Sequence, residues 1–473
     1  MKILFAASEA APFIKTGGLG DVAGALPAAL KKKGAEICVV LPLYEAVKEK
    51  FYDKLEYVTK FDVLLSWRAL YCGIFKAKFN GVTYYFIDNE YYFKRKPAYG
   101  FYDDGERFAY FSKALLEMLT RIDFMPDVIH CNDWQTALVP VFLRGNYGHI
   151  PEYQRIRTVI TIHNIEYQGK VPEEFIKNVI GVSDEYRNVL WYDDCVNFLK
   201  SAIVLADKIT TVSETYAEEI KDPYYSHGLA AILNENTYKL SGIVNGIDNL
   251  AFNPKTDKYL WNKYDSGCLK NKQLNKIELQ KKLGLNVDEN VPVISMVTRL
   301  VGHKGIDLVK YVMEEMLTEN IQFVLLGTGD QQYEEFFRYI GDKYPGRVSI
   351  NITFNEELAN QIYASSDLFL MPSKSEPCGL AQLICLRYGT VPIVREVGGL
   401  KDTIKPINPE TLEGCGYTFK SYNAHDMLGA VKRAIELYYQ KDKWNTVLTN
   451  IMNINNSWSV SAEKYMNVYG SVL

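Results

Sequence analysis

Arg299 and Lys304 stand in the loop that follows the apolar run Pro292 to Val297. A guanidinium grips a diphosphate with a planar fork, and an ammonium sits on it as a point charge. When a nucleotide leaves a sugar, negative charge grows on the bridging oxygen and the distal phosphate. Fixed cations at that place stabilise the transition state. The same pair would also suit an ordinary solvated loop. Glu376 lies in Ser373-Lys374-Ser375-Glu376-Pro377-Cys378-Gly379-Leu380, where Pro377 and Gly379 fix a bend and a helix is expected from Leu380. Backbone N–H groups at Cys378, Gly379 and Leu380 can hold phosphate oxygens or sugar hydroxyls. A carboxylate pinned there can accept hydrogen bonds from sugar hydroxyls and stabilise positive charge at an anomeric carbon. The helix dipole alone also favours a Glu at such a place.

Lys15 opens a second loop, Lys15-Thr16-Gly17-Gly18-Leu19-Gly20-Asp21. Gly17, Gly18 and Gly20 allow another backbone or a ligand to come close. The following helix turns its positive end toward the loop, a place for an anion, and Lys15 adds a mobile charge. A tight strand-to-helix turn with a solvated lysine would read the same way. His163 follows the run Thr158 to Ile162, and His130 and Asp133 follow another short run from Val128. A histidine there either meets a ligand or is a satisfied core residue, and Asp133 is either a site residue or an N-cap. No His-Glu-x-x-His or Asp-x-Asp pattern appears, so no metal site is expected. His130 and His163 should be hydrogen-bonded separately. No well-placed carboxylate pair suggests a double displacement.

Short buried strands with helices between them must position these groups. Lys2 to Ala7 reads as a strand, Val22 to Lys33 as a helix and Glu36 to Leu41 as the next strand. Further strands are expected at Tyr84–Ile87, Val128–His130, Thr158–Ile162 and Lys208–Val212, with helices at Arg107–Arg121 and Trp134–Arg144. A polar, Asn- and Lys-rich stretch runs on to about Lys282, where a second alternating series begins. Its strands are Pro292–Val297, Gln322–Leu326, Leu368–Met371 and Val391–Val394. The order predicts an α/β chain of two doubly wound, Rossmann-like units, 1–243 and 244–456, with a final helix at about 457–473 completing the first. In open α/β sheets ligands lie outside the carboxyl ends of the strands, and every loop singled out above falls there. Two such units would face each other across a cleft.

Composition narrows the function classes. The chain has 473 residues and a net charge of −4, which argues against a nucleic-acid partner held through phosphates. The run Lys31-Lys32-Lys33 reads as the solvated end of a helix. The eight cysteines form no Cys-x-x-Cys pair and read as thiols in a reducing cytosol. The start lacks the pattern of a secretory signal, and no apolar stretch is long enough to span a bilayer, so a cytoplasmic protein without a membrane partner is expected. The 34 tyrosines offer flat faces that suit sugars, though most are expected to serve as packing.

The ordered set of motifs resembles the bacterial glycogen synthase and plant starch synthase family, retaining glycosyltransferases of family GT5 with the two-domain GT-B fold. It runs through almost the whole chain: KTGGLGDVAGALPAAL from Lys15, YGFYDDGERF from Tyr99, HCNDWQTAL from His130, THNIEYQG from Thr161, VNGID from Val244, TRLVGHKG from Thr298, SKSEPCGL from Ser373 and YGTVPIVREVGGLKDT from Tyr388. The resemblance implies glucosyl transfer from ADP-glucose to an α-glucan such as glycogen, with no cofactor. It implies a donor-binding lysine at Lys15 beside Gly17 and Gly18, a diphosphate-neutralising pair at Arg299 and Lys304, and a carboxylate facing the glucosyl ring at Glu376. His163 would place its backbone carbonyl by the anomeric carbon. Asp133 and Asn245 would contact the sugar, the Cys378, Gly379 and Leu380 loop the phosphates. Phe354 would stack on adenine, where the family usually has a Tyr. Two more departures stand at Asn132 (commonly His) and Ala381 (commonly Thr). The residues alone leave ADP-glucose and UDP-glucose both open, and leave room for another enzyme of this fold or a non-catalytic glucan- or nucleotide-binding protein.

Overall fold

The computed structural model describes all 473 residues and divides into two compact units. Unit 1 comprises Met1–Asn245 and Trp458–Leu473, and unit 2 comprises Gly246–Ser457.

Unit 1 is built on a nine-stranded sheet. Its strands are β1 (Lys2–Ala6), β2 (Glu36–Pro42), β3 (Glu56–Leu65), β4 (Arg68–Phe79), β5 (Val82–Asp88), β6 (Val128–Asn132) and β7 (Arg157–Ile162). Three short strands, β8 (Lys170–Val171), β9 (Trp191–Tyr192) and β10 (Cys195–Asn197), form a separate small antiparallel sheet. Then come β11 (Lys208–Thr211) and β12 (Leu240–Gly242), which return to the large one. The order is β12-β11-β7-β6-β1-β2-β5-β4-β3, parallel from β12 to β5. β1 is buried along Ile3 to Ala6 because helices cover both faces, hence its unbroken apolar run. From β1 the chain runs outward through β2 to β5, then returns to β6 on the other side of β1, so the switch point lies between β1 and β6.

The antiparallel hairpin β3–β4 is an addition to the sequence reading. Its two connecting residues are Ser66 and Trp67, and Ser66 takes the left-handed conformation at φ 54° without a Gly or Asn. The usual hairpin signal is therefore missing.

The last helix, Trp458–Gly470, belongs to unit 1. Its Tyr469 is fully buried and its hydroxyl lies 2.7 Å from His130 Nδ1. His130 Nε2 lies 2.6 Å from Thr161 Oγ1, which in turn is 2.5 Å from Thr210 Oγ1. Both ring nitrogens are thus satisfied, and burial pushes the imidazole down to about 3, so it is neutral. Tyr469→Phe strands Nδ1 in the core. It should lower stability by about 1–3 kcal/mol, seen as a lower urea midpoint; an unchanged midpoint would show that the pair contributes nothing.

Unit 2 is a six-stranded, wholly parallel sheet: β13 (Val293–Val297), β14 (Gln322–Leu326), β15 (Val348–Asn351), β16 (Leu368–Met371), β17 (Val391–Arg395) and β18 (Tyr417–Phe419). The order β15-β14-β13-β16-β17-β18 puts its switch point between β13 and β16. The polar stretch before it contains a helix, Lys270–Lys282, whose buried face is Lys272, Asn275, Lys276, Leu279 and Gln280. Lys272 Nζ donates to the carbonyls of Ala364, Ser366 and Tyr388 and to Thr390 Oγ1. All three carbonyls lie at helix C-termini, where an ammonium is favoured.

Candidate functional site

In unit 2 a cavity of ≈ 240 Å³ opens at the carboxyl ends of β13 and β16, at the switch point. Arg299, Lys304, Glu376, Gly379 and Leu380 all line it. Two glycines make this convergence possible. Gly305 has φ +72°, and a Cβ there would fall 2.1 Å from Pro372 O, so the Lys304 loop lies directly on the loop after β16. Gly398 has φ +44°, and a Cβ would fall 2.1 Å from Glu376 O, so the Glu376 loop rests on the start of the helix Gly398–Thr403.

Lys304 Nζ lies 2.6 Å from Glu376 Oε2, and Ser373 Oγ donates to the same oxygen at 2.9 Å. Glu376 is buried, and both bonds fall on Oε2, which leaves Oε1 without a protein partner. Arg299 is exposed and makes no ion pair. The cavity thus presents one free guanidinium, one neutralised ammonium and a carboxylate with an open oxygen. That combination can hold a diphosphate beside a hydroxyl-rich ring.

In unit 1 the carboxyl edge around the switch point carries Lys15, Gly17 and Gly18 after β1, Asp133 after β6 and His163 after β7. The helix expected from Val22 begins earlier, at Gly18, and runs to Lys32. The positive helix start expected to receive an anion already has one, the protein's own Glu9. Its carboxylate accepts from Thr16 N and Oγ1 at 2.6 Å each and from Gly20 N at 3.1 Å. Glu9 is 3% exposed, and desolvation raises its pKa against the pull of those donors. Lys15 itself projects into solvent and pairs with Asp21 at 2.7 Å.

Asp133 sits at φ 56°, a left-handed conformation rare for a non-glycine residue and characteristic of functional sites. Its Oδ1 accepts from His163 N at 2.7 Å. Burial raises its carboxyl to about 7, opposed by the N–H groups of His163 and Asn164 and assisted by the charge of Glu9. Burial lowers His163 to about 3, so its ring is neutral. His163 Nε2 lies 2.9 Å from Asn132 Oδ1, while Asn132 Nδ2 donates to Ala6 O at 3.0 Å. The Asn amide must therefore present its oxygen to the ring, which fixes the Nε2–H tautomer. His130 and His163 are satisfied separately, and no three His, Cys, Asp or Glu side chains gather as a metal would require. Asn245 is 6% exposed, and its buried Oδ1 has no protein partner.

Not every expected residue reaches these places. Cys378 is buried but does not line the cavity, and the helix starts at Ala381 with Leu380 as its cap. Phe354 is 92% exposed in the loop after β15, outside the cavity lining. Sequence reasoning missed Glu9, for which the one available signal was an acid standing directly after a buried strand among apolar residues.

The family model described as "Starch synthase catalytic domain" matches residues 2–235, and that described as "Glycosyl transferases group 1" matches residues 276–446. A protein named glycogen synthase from Clostridium acetobutylicum is 52% identical, and the alignment covers 100% of both chains. One of the same name from Bacillus cereus is 50% identical with the same coverage. Among solved structures, the catalytic domain of starch synthase IV from Arabidopsis thaliana, bound to ADP and acarbose, superposes with a TM-score of 0.90 at 34% identity. It covers 100% of this chain and 99% of that one. Sucrose-phosphate synthase from Thermosynechococcus elongatus matches at TM-score 0.59 and 17% identity over 100% and 98% of the two chains, a likeness of fold alone. No helix is long and apolar enough to cross a membrane.

Proposed function

The chain belongs to the glycogen synthase and starch synthase family of glycosyltransferases, and from that premise we propose that it transfers glucose from ADP-glucose to the non-reducing end of an α-1,4-glucan with retention of configuration, releasing ADP. The observation that carries this reading is the meeting of Arg299, Lys304 and Glu376 in one cavity at the switch point of unit 2. The Arabidopsis relative, solved with ADP, supports the nucleotide.

In this reading unit 2 binds the donor and unit 1 serves the acceptor side, with Lys15 meeting the diphosphate and Asp133 and Asn245 the sugar. Arg299, Lys304 and the N–H groups of Gly379 and Leu380 hold the phosphates. The bond between the anomeric carbon and the phosphate oxygen breaks with its electron pair going to the phosphate, where the cations meet the growing charge. Glu376 would stabilise the positive anomeric carbon, a task the reading assigns to the His163 carbonyl as well. The acceptor 4-hydroxyl then bonds to that carbon from the face the phosphate leaves, and its proton passes to the departing phosphate oxygen. Retention then needs no protein nucleophile. Phe354 would offer adenine a flat, exposed face, and the setting is cytoplasmic.

The test is label transfer into glycogen by the purified protein with ADP-glucose and UDP-glucose in turn. Incorporation from ADP-glucose is expected. Incorporation from UDP-glucose alone would overturn the donor, and none from either would overturn the enzyme reading.

A further inference from the structure

We propose that Gln382, which has no contact with substrate in the reading above, is a positioning residue of the donor site. Its side-chain amide turns the peptide planes after Cys378 so that two backbone N–H groups face the diphosphate. The inference rests on the donor reading of the unit 2 cavity and deepens it.

Gln382 is fully buried in the first turn of the helix Ala381–Arg387. Its Nε2 donates to Cys378 O and Gly379 O at 3.0 Å each, and to Thr403 Oγ1 at 3.2 Å. The Thr403 hydroxyl spends its proton on Gly399 O at 2.6 Å, so toward Gln382 it can only accept. Three acceptors around one end of the amide fix that end as nitrogen. The two preceding carbonyls, Glu376 O and Pro377 O, both accept from Gly399 N at 3.1 Å.

All four carbonyls from Glu376 to Gly379 are thus drawn to one side, by Gly399 and Gln382. In a trans peptide the C=O and the next N–H point in opposite directions. The carbonyl of Cys378 shares its plane with the N–H of Gly379, and that of Gly379 with the N–H of Leu380. Both N–H groups must therefore point away from Gln382, and Gly379 and Leu380 both line the cavity. Gly379 at φ +73° followed by Leu380 at φ −118°, ψ −30° is the left-handed then right-handed pair that aims successive N–H groups at one anion. Glycine suits position 379 because φ +73° is a conformation that L side chains rarely adopt, and a Cβ there would press on Gln382 Oε1 at 2.5 Å. That oxygen is buried without a partner, so the side chain is held by what its nitrogen does.

The experiment is calorimetric titration of the full-length protein with ADP and, separately, with adenosine. Gln382→Leu keeps the bulk and removes the donor. It is expected to weaken ADP about tenfold, the low end for one hydrogen bond to a charged group, while leaving adenosine unchanged. Thr403→Val, which frees the amide to rotate, should move ADP in the same direction and also serves should the first variant fail to fold. A purely structural role would weaken adenosine and ADP together, and that result overturns the inference, as does ADP binding unaltered in both variants. Wild-type protein that binds no ADP would overturn the donor site itself, and this role with it.

Discussion

Arg299→Ala is expected to cut turnover by roughly 10²–10³-fold, the usual loss when one preorganised charge is removed from a developing oxyanion, with no change in unfolding midpoint. Arg299 is exposed and has no ionic partner, so the folded protein loses nothing by its removal. Arg299→Lys should recover only part of the loss, because an ammonium cannot reproduce the two-pronged grip of a guanidinium. Steady-state kinetics with varied donor, beside thermal unfolding of the same preparations, checks both. Near-normal turnover in Arg299→Ala would remove Arg299 from the chemistry.

Glu376→Gln is expected to lower turnover by a comparable roughly 10²–10³-fold, but for a different reason and with a different signature. The amide keeps the shape and can still accept from Ser373. It cannot match the charge of Lys304 or the positive charge at the anomeric carbon. Because the pair is largely buried, loss of one partner also costs stability. The midpoint should therefore fall in Glu376→Gln and recover when Lys304→Met is added, while turnover stays low in the double variant. Turnover restored together with stability would reduce Glu376 to a structural partner of Lys304.

What could be read from the sequence follows from where burial leaves a pattern. The parallel strands were legible because both of their faces are covered, which forces continuous apolar runs such as Ile3 to Ala6 and Phe323 to Leu326. The helix Lys270–Lys282 left no apolar stripe, since its inward face buys its place with ammonium groups. Lys272 is held by four acceptors, and Lys276 lies 2.7 Å from Asp367. Periodicity cannot see a lysine that behaves as a core residue. The site divides along the same line. Arg299, Lys304 and Glu376 were visible because reactive side chains follow strand ends at the carboxyl edge of a sheet. Glu9 and Gln382 were not, because each acts on backbone amides of a neighbouring loop, and such bonds impose no spacing on the sequence.

Unit 2 interrupts unit 1: the chain leaves the first unit at Asn245, spends Gly246–Ser457 elsewhere, and comes back for a single helix. A ribosome therefore releases the whole second unit before it releases the segment that covers His130 and packs on the helix Gly18–Lys32. Until then a nascent chain carries an apolar seat with no occupant, a surface that chaperones and proteases recognise. A premature stop after Ser457 would spare both sheets and almost every residue discussed above, yet yield a polypeptide that the cell should treat as unfinished.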